Sequence, residues 1–166
     1  MGVEALRPCA QRITCYAVTV TSKRSLSVAQ HEAAHVVVGV ALGLRLGRAS
    51  ALPWAEGDGF CWFPLPPGRR TWADAVTGAA GVAWERAIAP TVADDVGVQR
   101  ADWAELLEAV PSRHDAETCV RAAAALLSTL GGLHARVTRA LLERDLGPED
   151  IAALVRGERP SADDGA

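Results

Sequence analysis

The sequence predicts an α+β domain that is predominantly helical, with a small β-sheet and a buried helix near its start. Three observations predict it. Apolar residues recur at helical spacing over most of the chain, with capping residues ahead of the runs. Only short stretches, bounded by Pro, Gly and Asp, are rich in β-branched or aromatic residues. The length, 166 residues, suits one domain with a real core.

Taken in order, residues 1–25 form an N-terminal segment in which 13–20, rich in Val, Ile and Thr, is a candidate strand. Ser25 or Ser27 can cap a first helix over 26–42, closed by Gly43 as a left-handed cap. Val36-Val37-Val38 and Val40-Ala41-Leu42 make that helix apolar nearly all round, the pattern of a buried helix. Residues 46–52 and 59–63 read as strands on either side of a turn at 53–58. Thr71 or Asp74 opens a second helix that reaches Ala89 and stops at Pro90. A loop carrying Asp94 and Asp95 precedes a third helix over 99–110. Ser112 or Asp115 caps a fourth over 116–130, which Gly131-Gly132 interrupts. A fifth covers 134–144, and 148–155 is a short last helix with Pro148 in its first turn. The domain therefore spans 26–156, followed by a polar tail over 157–166 expected to be disordered.

Composition narrows the function classes. A formal charge of −3 gives no basic patch to hold phosphate backbones, so nucleic acid is not an expected partner. The apolar runs at 36–44 and 122–133 fall short of the roughly 20 residues that cross a bilayer. No signal-peptide pattern stands at the N-terminus. Cys9, Cys15, Cys61 and Cys119 are widely spaced, with no CxxC pair, as expected of a cytoplasmic protein rather than a disulfide scaffold.

The most informative residues are His31-Glu32-Ala33-Ala34-His35, an HExxH sequence on the predicted buried helix. Positions i and i+4 share a helix face, so both imidazoles can reach one metal ion. Glu32 then lies where it can take a proton from water. Buried polar side chains need partners, and a metal supplies one. Zinc in a hydrolase usually has three protein ligands and an open fourth position, so a third ligand must come from elsewhere. The carboxylates of Asp74, Glu85, Asp94, Asp95 and Asp102 are the candidates. His114 and His134 lie near helix boundaries and read as surface or capping histidines, and Cys61 as a small buried apolar residue.

The chain around this motif resembles the FtsH-type zinc peptidases, the protease domains of ATP-dependent membrane proteases. The stretch from Ser27 to Gly39 is similar to their VAxHEAGHAxVG signature, with Ala34 in place of the glycine. Further blocks follow in the family's order: the strand–turn–strand ending in GFCWFPLP, a helix containing TGAAGVAWERA, the segment GVQRADWAELLEA, and a closing helical stretch over 134–154. The resemblance implies a helical peptidase fold binding Zn2+ through His31, His35 and Asp102, with Glu32 as catalytic base. Asp102 stands one residue later than the family spacing, which keeps Asp94 and Asp95 open as alternatives. Glu85 matches a glutamate that supports the site. The chain has no GxxxxGK[ST] phosphate loop and no membrane-spanning run, so the activity implied is ATP-independent cleavage of peptides or unfolded segments. The strand at 59–63 can pair with an extended substrate. The family's peptidase domains form rings in the full-length enzymes; an oligomer here is neither required nor excluded. Two other readings compete: a metal-binding regulatory or interaction domain that no longer hydrolyses, and a metal-free helical domain with structural histidines.

Overall fold

The computed structural model describes residues 24–52, 59–64, 71–88 and 96–160. The candidate strand at 13–20, Cys9, Cys15, Asp94, Asp95 and most of the expected tail lie outside them. Within them the fold is largely helical with one two-stranded antiparallel sheet, which is the α+β class expected.

Helix α1 (Leu26–Ala41) is the centre of the molecule. Its Val36, Val37 and Val38 are completely buried, as the all-round apolar pattern requires. Each such side chain contributes on the order of 1.5–3 kcal/mol by leaving water. Ser25 occupies the N-cap but its hydroxyl bonds Ser27 Oγ at 2.8 Å rather than the helix backbone. Gly43, at φ +82°, turns the chain off the helix as expected.

Strand β1 (Arg48–Ser50) pairs with β2 (Phe60–Trp62) in the register Arg48↔Trp62, Ala49↔Cys61, Ser50↔Phe60. On its other edge, Ala49 exchanges two 2.9 Å backbone bonds with Leu146. β2 is thus an edge strand among the described residues.

The expected second helix is divided. Helix α2 (Trp72–Gly78) opens on a capping box in which Thr71 Oγ1 accepts from Asp74 N, and Thr71 N donates to Asp74 Oδ2. Helix α3 (Ala80–Ala83) continues it, and residues Trp84–Ile88 form a π-helical turn. An extra residue in a helical turn rotates the side chains that follow, and such turns concentrate at functional sites.

Helix α4 (Val96–Ala109) begins three residues before the expected start, and α5 (Arg113–Thr129) is capped by Ser112 as predicted. Helix α6 (Gly131–Glu143) starts at the glycines instead of after them, so the break falls at Leu130. Helix α7 (Pro148–Arg156) has Pro148 in its first turn and closes at Gly157, φ +80°.

The core is the set of faces turned toward α1. It packs most extensively on α6, and also touches α2, α3, α5 and both strands. Asp145, between α6 and α7, ties the periphery together. Arg24 donates to its Oδ1 at 2.8 Å, Ser50 donates to the same oxygen at 2.6 Å, and Arg48 donates to Oδ2. Burial alone would raise the Asp145 pKa, but these donors hold it below the ordinary carboxylate range. Among the described residues no helix is long and apolar enough to cross a membrane.

Candidate metal centre

His31 and His35 sit one turn apart on α1 and turn toward α2, α3 and α4. His31 is 3% exposed, and Glu32, between them, 6%. Asp102 comes from α4. That helix is held by the buried Leu106 and by the Arg86 guanidinium lying 4.6 Å from the centre of the Trp103 ring. The Nε2 atoms of the two histidines are 3.1 Å apart; Asp102 Oδ2 is 2.7 Å from the first and 3.1 Å from the second.

The outer ring nitrogens fix which protons the imidazoles carry. His31 Nδ1 lies 2.8 Å from Glu85 Oε1, and His35 Nδ1 lies 2.7 Å from the backbone oxygen of Thr77. A carboxylate and a carbonyl only accept, so each Nδ1 carries the hydrogen. In the neutral rings, both Nε2 atoms then present lone pairs. Two nitrogen lone pairs and a carboxylate oxygen converge within 3.1 Å of one another, an arrangement that repels unless a proton or a cation stands among them.

Protonation behaviour follows. Burial, the largest single influence on His31, favours its neutral form, yet Asp102 and Glu85 together push its pKa up to about 10. Burial acts the same way on His35 and is likewise overcome by Asp102. Burial would raise Asp102, but the two histidines hold its carboxyl far below the usual range. Glu32 is raised by burial, only partly opposed by His35 and His31. Asp102 is therefore a carboxylate, with His31 as its cationic partner whenever no other cation is present.

The donor set fits zinc. Two imidazole nitrogens and one carboxylate oxygen are ligands that zinc accepts, and the triangle they form is small enough for one point to lie about 2.0–2.1 Å from all three. Both histidines also have the outer partner that metal-bound histidines require. No other group of three such residues among the described ones converges in this way.

Glycines make the close approach possible. A Cβ at Gly81 on α3 would press into the His31 ring and stand 2.7 Å from His35 Nε2. At Gly59, φ +121°, a Cβ would stand 2.6 Å from Val28 Cγ1 and 3.0 Å from Glu32 Oε1. Ala34 is completely buried, so the fold accommodates its methyl group beside the histidines.

Glu32, His35 and Asp102 line a cavity of about 400 Å³. Residues Gly59 to Phe63, around β2, form one wall; α2 and α4 form the other.

Of the candidate ligands, Asp102 joins the histidines, and Glu85 instead supports His31. Asp74 caps α2 while lining the same cavity. His114 is exposed, as expected. His134 is not: it is 4% exposed, its Nε2 lies 2.8 Å from Gln30 O, and it stacks at 4.0 Å on Trp84. It sits in the first turn of a helix that begins earlier than expected, facing α1. Cys61 is half-buried on the cavity wall, its thiol pushed up by burial and then by Glu32. The sequence reading missed the roles of the Thr77 carbonyl and of Gly81. The first is backbone and leaves no signal; the second had one, a glycine within an otherwise helical apolar run. Neither a family model nor a curated protein matches the chain.

Proposed function

We propose that the chain is a zinc-dependent metalloendopeptidase that cleaves peptides or unfolded segments without ATP. The observation that carries the reading is the convergence of His31 Nε2, His35 Nε2 and Asp102 Oδ2, with Glu32 beside them on the cavity wall. His31, His35 and Asp102 would hold the ion. Bound zinc supplies Lewis acidity, which polarises a carbonyl and lowers the pKa of water.

The chain's own groups do the rest. Glu32 takes the proton of the attacking water and returns it to the leaving amine. Its burial favours that exchange, because a raised carboxyl pKa makes the proton easier to hold between the two steps. β2 offers backbone groups along one wall, to which an extended substrate can add as a further strand. The order and content of the blocks that resemble those of FtsH-type peptidases agree with this chemistry, and cytoplasmic peptides are the substrates we assign.

The test compares the wild-type chain with Glu32→Gln, both purified with zinc and assayed on a peptide library. Zinc content is expected to stay the same, and cleavage to fall by about 10²–10⁴-fold. Undiminished cleavage by the zinc-loaded variant would refute the mechanism. Zinc bound by the wild type with no peptide cut would leave a metal-binding regulatory or interaction domain instead.

A further inference from the structure

We infer that a second groove in the molecule binds an acylated amino acid with an apolar side chain, either free or as the C-terminal residue of a peptide. Arg139 takes its carboxylate, His134 Nδ1 accepts from its amide N–H, and leucines of three helices enclose its side chain. The inference stands apart from the peptidase reading and does not depend on it.

The groove measures about 710 Å³, against about 400 Å³ for the cavity at the metal centre, and no described residue lines both. It is bounded by the start of α1, the end of α5 and one face of α6. Leu26, Leu127 and Leu142 give it an apolar wall, one leucine from each helix. Leu26 is 56% exposed, so a ligand that covers it removes apolar surface from water.

His134 supplies an acceptor that the fold leaves unused. Its Nε2 lies 2.8 Å from the Gln30 carbonyl oxygen, which only accepts, so Nε2 carries the hydrogen. Burial lowers its pKa, only partly opposed by that bond, and the ring is neutral. Nδ1 therefore presents a lone pair. Among the described residues nothing donates to this nitrogen, and it is not sealed from solvent. His134 as a whole is 4% exposed and lines the groove, so the nitrogen that stays open is open to it. Stacking on Trp84, 4.0 Å between ring centres, holds the ring in that direction.

Arg139 sets the sign of the ligand's charge. It is exposed and is the one charged side chain on the groove wall among the described residues. It stands five residues after His134 on α6, a rise of about 7.5 Å. Helical side chains lean toward the N-terminus, which brings the guanidinium back toward the His134 ring. Hydrogen bonds of about 3 Å at each end leave room between the two for a donor and an acceptor carried on one carbon. An acylated amino acid has that arrangement, and its carboxylate can pair with the guanidinium through both oxygens. A free amino acid would set an ammonium beside Arg139 instead, cation against cation.

The test measures binding to the full chain by calorimetry. N-acetyl-leucine and the peptide N-acetyl-Gly-Gly-Leu carry the same end group; saturable binding of either upholds the groove, and the tighter of the two identifies the source. N-acetylleucinamide, which lacks the charge, should bind about 10–100-fold more weakly. N-acetylglycine, which lacks the side chain, should also lose about 10–100-fold. The 2-acetoxy analogue of N-acetyl-leucine has an ester oxygen in place of the N–H. It should bind about 10-fold more weakly, because two lone pairs then face each other at Nδ1. That analogue tests His134 without altering a buried residue. In Arg139→Gln the advantage of acid over amide should vanish, with an unchanged melting temperature as folding control. The inference is overturned if neither acid binds saturably, or if the acid and its amide bind equally. It is also overturned if the ester analogue binds as well as the N-acyl acid, or if Arg139→Gln keeps the full acid preference. None of these outcomes bears on cleavage at the metal centre.

Discussion

Glu85 shows how much of a candidate metal centre lies behind the three groups that could hold the ion. An acid directly after the apolar run Ala79 to Trp84, it reaches His31 Nδ1 at 2.8 Å from a π-helical turn. Its Oε1 keeps the hydrogen on Nδ1 and leaves Nε2 free to bind. Glu85→Gln should therefore weaken zinc affinity by about 10–100-fold, measured by competition with a chromophoric chelator. Unchanged affinity would mean that packing alone orients the ring. The sequence offered this residue as one of five candidate acids and, through the resemblance to FtsH-type peptidases, as a supporting glutamate. It did not point to His134, whose burial depends on where α6 begins. Two glycines at that junction, Gly131 and Gly132, read as a break but serve as a first turn. Local chemistry favours either use, and packing against Gln30 and Trp84 decides it.

At the scale of elements, the readable parts were those with strong local signals. α1, α5 and α7 declare themselves through apolar periodicity, Ser112 and Pro148, and their observed ends differ from the expected ones by only a few residues. The two strands appear as short versions of the expected ones, since only three residues of each form ladder bonds. The division of the second helix was not readable. Nothing in Gly78-Ala79-Ala80 forbids continuous helix; the turn is set by the need of Gly81 to approach the histidines and of Glu85 to face them. Likewise the sequence offered several acids as third ligand, and only the packing of α4 on α2 and α3 brings Asp102 to the histidines. α2 matters to the site through one carbonyl, that of Thr77, so its cap bears on metal binding as well as stability. Thr71→Ala removes a capping box and should cost about 1 kcal/mol, read as a lower urea midpoint. If the carbonyl of Thr77 orients His35 as argued, the same variant should also bind zinc more weakly. A loss of stability with zinc affinity untouched would separate α2 from the site.

For the molecule as a whole, the His31–His35–Asp102 cluster links folding to pH, and on the proposed reading the sign depends on whether zinc is bound. Without metal, His31 titrates near 10 when folded and about 6.5 when unfolded. Its raised pKa contributes stability that is complete below about pH 6.5 and is lost as the pH climbs toward 10. Asp102 has the opposite sign: its depressed pKa contributes stability above about pH 3.9, lost as the pH falls. The metal-free chain should thus be most stable between about pH 4 and 6.5 as far as this cluster is concerned. Zinc reverses the upper limb, because it binds the neutral imidazoles and must displace their protons. Raising the pH removes the competitor, so the ion's stabilising effect grows as the apo cluster loses its own. Melting temperatures of chelator-treated and zinc-saturated protein should diverge steadily from pH 6.5 to 9. The treated sample should fall while the saturated one holds or rises. Parallel curves would mean that zinc does not compete with the protons of His31 and His35, and the assignment of those nitrogens as ligands would fail with them.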